Sequence, residues 1–234
     1  MNDRSVVSTA APRARPSKGA ATREAIKAAA RRAMAADGFV AVKVSDIMAS
    51  ADRSPGAFYR YFESKEELLH ELLTDFQRRL KAEVNAPIKP HEQPAEHLVE
   101  RLRVFWMIYR EEWPVATAGF QMSMSDPRFA RAWRSIRQQG IRGFATVVRY
   151  AQALGMCRDL HPELVASAVT SMIEFTCYNW TAPGGDFPDA VIDDNTAIET
   201  LSRLALGVLD ERPWLPEYVR ASSTVTRLRG TGVP

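Results

Sequence analysis

Apolar residues recur along most of this chain at steps of three and four, the spacing of one face of an α-helix, and strand-like alternation is almost absent. From Thr22 the positions Ile26, Ala29, Ala30, Ala33 and Met34 keep that period until Gly38 stops the run, and Phe39 follows as a packing residue. Val44 and Ile47 mark a second, short helix ending near Ala51. Ser54-Pro55 opens a third, running to about Tyr61. A serine accepts a bond from an early backbone N–H, and proline at the first helical position has no N–H to leave unsatisfied. Ser64 and Glu67 form a capping box. The fourth helix it opens carries Leu68, Leu69, Leu72, Leu73, Phe76 and Leu80 on one stripe and reaches about Asn85, before a connection containing Pro87, Pro90 and Pro94.

The remainder reads as helix upon helix. Leu98, Leu102, Phe105, Trp106, Ile108 and Tyr109 form a wide apolar face that Trp113-Pro114 is expected to interrupt. Asp126-Pro127 starts another helix with Phe129, Trp133 and Ile136, and Ile141 to Leu154 either continues it or packs beside it. Pro162 opens a helix with Leu164, Ala168, Val169, Met172, Ile173 and Phe175, broken by the loop 182–188. A last helix, about Asn195 to Leu209, carries Ile198, Leu201, Leu204, Ala205 and Val208. The fold class is all-α. The last two helices, from about Glu163 and from about Asn195, have apolar faces too wide for one neighbour, and pairing them with a second copy would bury a four-helix core.

Length changes this picture little: 234 residues suffice for one large or two small domains with a sizeable core. Charge changes it more. Residues 1–65 hold 12 Lys/Arg against 6 Asp/Glu, an excess of +6, whereas the rest holds 19 against 22. A positive charge confined to the first quarter points to a polyanion partner for that end. Residues 1–20, rich in Ala, Pro, Ser and Arg without a hydrophobic period, read as a disordered basic arm. Its Arg13, Arg15 and Lys18 either enter a minor groove or form a loose tail.

Several classes are excluded as expectations. No run approaches the ~18–20 apolar residues of a membrane helix, and the N-terminus has no apolar segment of the secretory kind. Cys157 and Cys177 have no metal spacing and read as plain buried thiols, which fits a cytoplasmic protein. His70, His91, His97 and His161 are scattered, and no nucleophile elbow, phosphate loop or zinc-protease motif is present. An enzyme is not expected, nor a cofactor or a metal.

The N-terminal layout of helix, Gly-Phe, short helix, tight turn and second short helix is that of a helix-turn-helix within a three-helix unit. An α-helix fits the DNA major groove, and its first residues meet base edges. Ser54, Pro55, Gly56 and Ala57 are small enough there for close backbone approach. Phe58 and Phe62 are the expected inward anchors, while Tyr59, Arg60, Tyr61 and Lys65 face nucleic acid. Lys65, at a helix N-terminus, joins a cation to free N–H groups, a combination that favours phosphate.

These residues carry a family resemblance. Residues 22 to about 80, through Gly38-Phe39, Asp46-Ile47, Gly56-Ala57-Phe58-Tyr59, Phe62 and Ser64-Lys65-Glu66, resemble the DNA-binding domain of TetR/AcrR-type bacterial regulators. The resemblance implies a homodimer on a palindromic double-stranded operator, with a helical C-terminal domain for dimerisation and a small hydrophobic effector. It divides the chain into an arm (1–20), a helix-turn-helix domain (21–66), an effector and dimerisation domain (67–211, with 67–85 as connecting helix) and a flexible tail (212–234). The expected output is repression relieved by effector; a DNA-binding dimer that answers to no ligand is the alternative. Departures stand at Met48, where the family has a small alanine, and at Asp52-Arg53, in place of Gly-Val. Asp tolerates a left-handed turn. Met48 must bend away from the helix crossing, and Arg53 either reaches a phosphate or is a solvated turn residue. Lys43 replaces the usual hydroxyl cap of the second helix and offers a cation beside Ser45.

The helical body is heavy in aromatic and soft residues, which suit an adaptable apolar pocket as well as ordinary core. Phe105, Trp106, Tyr109, Trp113, Phe120, Met124, Trp133, Phe144, Met172, Phe175 and Asn179 are the candidate pocket residues. The mixture resembles that of mycobacterial regulators with a long apolar tunnel. The body shows no basic cluster suited to phosphate, so the expected effector is a neutral or weakly polar lipophile. The segment 113–124 is expected to line or gate the cavity.

Overall fold

A computed structural model describes residues 17–84, 92–158 and 160–209, and the basic arm up to residue 16, the prolines at 87 and 90, and the C-terminal tail lie outside them. The described residues form eight α-helices and one short 3₁₀ turn: α1 Lys18–Ala41, α2 Val44–Ser50, α3 Pro55–Phe58, α4 Lys65–Glu83, α5 Pro94–Ser123, α6 Pro127–Ala153, α7 Pro162–Thr181, α8 Asp194–Leu206 and Gly207–Leu209. No strand occurs among them. None of the helices is long and apolar enough to cross a membrane.

Helix α1 begins four residues before the expected Thr22, because the Ser17 hydroxyl accepts the Ala20 N–H at 3.3 Å and caps it. Its periodic face, Ile26, Ala29, Ala30 and Met34, is fully buried. Gly38 takes φ 73° and ψ 156°, a conformation costly to any residue with a Cβ, and there the helix axis breaks so that Phe39 turns into the core. Helix α2 follows the sequence closely, from Val44 to Ser50 with Ile47 buried.

Helix α3 ends at Phe58, three residues before the expected Tyr61. The chain passes through turns in which Tyr61 N–H and Phe62 N–H both donate to the Phe58 carbonyl, at 2.9 and 3.1 Å. The Tyr61 carbonyl then accepts from Arg23 Nη1 at 2.7 Å instead of from a helical amide. Ser64 is thereby free to cap α4, accepting the Glu67 N–H at 3.1 Å, while the Glu67 carboxylate takes the N–H of Glu63, one residue earlier than a regular capping box. The six-residue apolar stripe of α4 is buried throughout.

Helix α5 corrects the largest expectation. It runs unbroken from Pro94 to Ser123 through Pro114, so the interruption expected at Trp113-Pro114 is absent, and within the segment 113–124 Phe120 lines a cavity. An interior proline costs roughly 3 kcal/mol through a lost bond and a steric clash, and tertiary burial overrides that cost here. Val115, Ala116 and Ala118 are buried around it. Gly119 lets α5 approach α4 so closely that a Cβ in its place would lie 2.4 Å from Leu73 Cδ2. Helix α5 is the hub of the body, packing on α1, α4, α6, α7 and α8. Trp106 secures one of these contacts: its Nε1–H donates to Asp194 Oδ1 at 2.8 Å at the start of α8, and its ring meets Trp180 edge-on at 6.1 Å.

Helix α6 is one helix across Ile141, and its Asp126 carboxylate caps it through the Arg128 N–H at 2.7 Å. Helix α8 starts at Asp194, capped by Asp193, and its last expected turn tightens into the 3₁₀ segment Gly207–Leu209.

Candidate nucleic-acid interface and effector cavity

The turn between α2 and α3 is where the departures of this sequence are accommodated. Asp52 adopts φ 54°, the left-handed conformation that a short polar side chain tolerates. The turn closes through the Arg53 N–H on the Met48 carbonyl at 2.9 Å. Met48 is fully buried in the core, where its flexible thioether fills space that a smaller residue would leave. Arg53 is exposed, its Nη1 on the Asp52 carbonyl at 2.7 Å. At the start of α2 the Lys43 N–H is held by Asp46 Oδ2 at 3.1 Å, so a carboxylate three residues on replaces the missing hydroxyl cap.

Lys43, Ser45, Arg53, Ser54, Pro55, Gly56, Tyr59 and Arg60 are all exposed on α2, α3 and their turn. Phe58 and Phe62 are buried below them with ring centroids 5.5 Å apart. Tyr61 is half-buried.

Two of the expected contact residues are placed otherwise. Ala57 is buried and forms part of the core under α3, because the third helical position of so short an element points inward. Lys65 does not present its ammonium to solvent. Its Nζ donates to the carbonyls of Phe39, Val40 and Val42 at 2.8, 3.2 and 2.8 Å, and it stands 4.6 Å from the Phe39 ring centroid. All three N–H donors of the lysine are used on carbonyls left open where α1 breaks. Its role is to fasten α4 to the α1–α2 connection. Arg32, overlooked in the sequence, performs a similar task by donating from Nη2 to the carbonyl and hydroxyl of Ser50, each at 3.1 Å.

A charged network joins this unit to the helix leaving it. Arg23 Nε lies 3.0 Å from Glu71 Oε2, and buried Lys27 reaches Glu71, Asp75 and Glu24. The guanidinium of Arg23, and next the ammonium of Lys27, hold the Glu71 carboxyl down to about 2 against the opposing effect of its burial.

Two cavities in the body bear on the candidate pocket residues. The larger, about 660 Å³, lies between α4, α5, α6 and α7, walled by Leu98, Leu102, Phe105, Ile136, Phe144 and Ile173. The smaller, about 250 Å³, lies between α5, α6 and α7 and is lined by Tyr109, Phe120, Trp133, Phe175 and Tyr178 with Ser171, Arg137 and Glu174. Glu174 lines both. It pairs with Arg137, whose Nη2 also donates to Ser171 Oγ at 2.9 Å. Burial nevertheless dominates over Arg137 and pushes the carboxyl up to about 7.

Of the expected pocket residues, Phe105 and Phe144 line the larger cavity and Tyr109, Phe120, Trp133 and Phe175 the smaller. Trp106, Trp113, Met124, Met172 and Asn179 line neither. Trp106 is the fully buried anchor of α8 described above, and Trp113 and Met172 pack half-buried against the core. Met124, just past the end of α5, is 72% exposed. The Asn179 carbonyl accepts the Asp186 N–H at 3.0 Å and shapes the loop after α7. The structure also brings to the larger cavity three cations the sequence reading passed over: Lys81, Arg101 and Arg142. Arg101 was legible, since it falls on the same helical face as Leu98, Leu102 and Phe105.

Comparison with known proteins places this architecture. Residues 26–72 match the model of bacterial regulatory proteins of the tetR family. The chain is 28% identical over 165 residues to the HTH-type transcriptional regulator EthR of Mycolicibacterium smegmatis, covering 70% of this chain and 76% of that one. A solved bacterial regulatory protein of the tetR family from Rhodococcus RHA1 superposes with a TM-score of 0.66 at 25% identity, covering 83% of this chain and 98% of that chain. AibR, solved in complex with isovaleryl coenzyme A and operator DNA, shares the fold at a TM-score of 0.62 and 16% identity, covering 78% and 97%. The matched segment runs from within α1 into α4, so residues 26–72 resemble the DNA-binding domain of tetR-family transcriptional regulators, and the helical body that follows shares the fold of solved members of that family.

Proposed function

We propose that the chain is a homodimeric repressor that binds a palindromic operator and leaves it when a small effector occupies the body. The observation that carries the DNA part is the exposed set on α2, α3 and their turn. Ser54, Pro55 and Gly56 offer close approach to base edges, Tyr59 and Arg60 stand beside them, and Lys43, Ser45, Arg53 and Tyr61 serve phosphates. Lys65 and Ala57 support this surface from beneath.

Dimerisation is assigned to α7 and α8, where Leu164, Phe175 and Leu204 are each about half exposed, a pattern expected of a face completed by a second copy. Two α3 helices related by that axis meet successive major grooves. The effector part rests on the 660 Å³ cavity, within the ~300–1,000 Å³ range of small-molecule sites. A body this open favours an effector over the alternative of a dimer without one. The structure of AibR, with a small molecule and operator DNA both bound, supports the capacity of the fold for both.

The test is to select genomic fragments with the full chain at ~0.15 M salt, where non-specific phosphate binding is weakened, and sequence what is retained. A palindromic site recovered repeatedly supports the reading. Retention that depends on salt and not on sequence contradicts it.

A further inference from the structure

Taking the larger cavity as the effector site of the preceding section, we infer that its ligand is an amphipathic anion, an apolar chain ending in a carboxylate or phosphate, and not a neutral lipophile. Lys81, Arg101 and Arg142 come from three different helices, α4, α5 and α6, and line the same cavity. Among the described residues none of the three has a carboxylate partner. Their neighbours differ in this respect: Arg79 is paired with Glu83 and Glu111, Arg103 with Glu100, Arg110 with Asp194, and Arg137 with Glu174.

Arg101 adds a second, independent sign. Its Nη1 donates to the Glu83 carbonyl at 3.0 Å, which fixes the guanidinium, yet its Nε is buried with no hydrogen-bond partner among the described residues. A buried donor without an acceptor is costly and rare in a folded protein. A ligand oxygen carrying negative charge satisfies it and is the acceptor that a guanidinium binds best.

The one carboxyl among the described residues that line the cavity does not cancel these charges, because Glu174 is already paired with Arg137. The cavity therefore combines an apolar wall, Leu98, Leu102, Phe105, Ile136, Phe144 and Ile173, with an uncompensated positive set. A neutral lipophile would fill the wall and leave the cations unmatched. An anionic head on an apolar chain uses both.

The test measures direct binding to the full chain by calorimetry, without DNA, for three probes of equal chain length kept below their micelle concentrations: dodecanoate, dodecyl phosphate and dodecanol. At least one anion is expected to bind ten-fold or more tightly than dodecanol, and the tighter of the two distinguishes a carboxylate head from a phosphate head. The variant Arg101→Ala/Arg142→Ala is expected to lose at least ten-fold in affinity for the anion while keeping its affinity for dodecanol. Arg142→Gln, a single change at an exposed position, is expected to lose several-fold and guards against misfolding of the double variant. Arg103→Ala, outside the cavity, is expected to change neither. Dodecanol binding as tightly as both anions, anion affinity unmoved in the variants, or no binding of any probe overturns the inference. Anion binding without release of DNA leaves the inference standing and removes the release mechanism instead.

Discussion

Arg31 Nε lies 2.8 Å from Glu112 Oε2, an ion pair that fastens the first helix of the DNA-binding unit to the middle of α5. Glu112 is nearly buried and follows Tyr109, which lines the smaller cavity, by one helical turn, and Phe105, which lines the larger, by two. The orientation of α1, and of the candidate interface built on it, is thus set against the same element that walls both cavities. Glu112→Gln keeps the shape of the side chain and leaves Arg31 without its counter-ion. The expected cost is about 1–3 kcal/mol, and at roughly 2–4 °C per kcal/mol for a chain of this size the thermal midpoint falls by several degrees in calorimetry. An unchanged midpoint contradicts the assignment.

Lys65 and the exposed cations of α2 and α3 are expected to separate cleanly under mutation. Lys43→Ala and Arg60→Ala each lower the slope of log affinity against log salt by about 1 and leave the thermal midpoint in place. Lys65→Ala removes one charged donor from three carbonyls and costs about 1–3 kcal/mol of stability. A Lys65→Ala protein of native stability with a reduced salt slope would return that side chain to the phosphate.

Asp52 holds its left-handed conformation at φ 54° because its short polar side chain tolerates it. Glycine has no such cost, so Asp52→Gly is expected to raise stability by up to about 1 kcal/mol, whereas Asp52→Val loses more than 1 kcal/mol through its branched Cβ. The midpoints of urea denaturation report the order, and a valine variant at least as stable as the parent would show that the turn is not strained as described.

These cases also show how far residue pattern reaches. Period and caps located the starts of α3, α4 and α6, since Ser54, Ser64 and Asp126 are local signals and the stripes of α4 and α6 are one-dimensional, whereas the Ser17 and Asp193 caps of α1 and α8 went unread. Pro114 misled because its cost is local, while the burial that outweighs it comes from the packing of α5 on the helices around it. In the candidate interface, exposure of Tyr59 and Arg60 and burial of Phe58 and Phe62 follow from helix geometry. The fate of Lys65 does not, because the carbonyls it satisfies are those opened by Gly38, 27 positions earlier. The cavity residues were legible only in part. Aromatic character marks core and pocket alike, and Lys81, Arg101 and Arg142 meet only when three helices pack.

The network around Lys27 predicts acid sensitivity. Glu71, held down to about 2, has a folded value below its unfolded one of ~4.3. Its stabilising contribution is therefore complete above pH ~4.5 and is lost as pH falls toward 2. At 1.36 kcal/mol per unit, and reduced for its partial exposure, this is on the order of 2 kcal/mol. Glu71→Gln is expected to be the less stable protein at pH 7 and to lose that disadvantage near pH 2. Parallel stability curves for the two proteins would exclude Glu71 as the source.

The central claim, that the α2–α3 surface reads sequence, is tested most directly by one ratio. The affinity of the full chain for its selected fragment is measured against a scrambled fragment of equal length at ~0.15 M salt, for the parent and for Tyr59→Ala/Arg60→Ala. The account predicts a ratio on the order of 10³ or more for the parent, collapsing by at least ten-fold in the variant at unchanged thermal stability. A parent ratio near one, or a variant that discriminates as well as the parent, would contradict it.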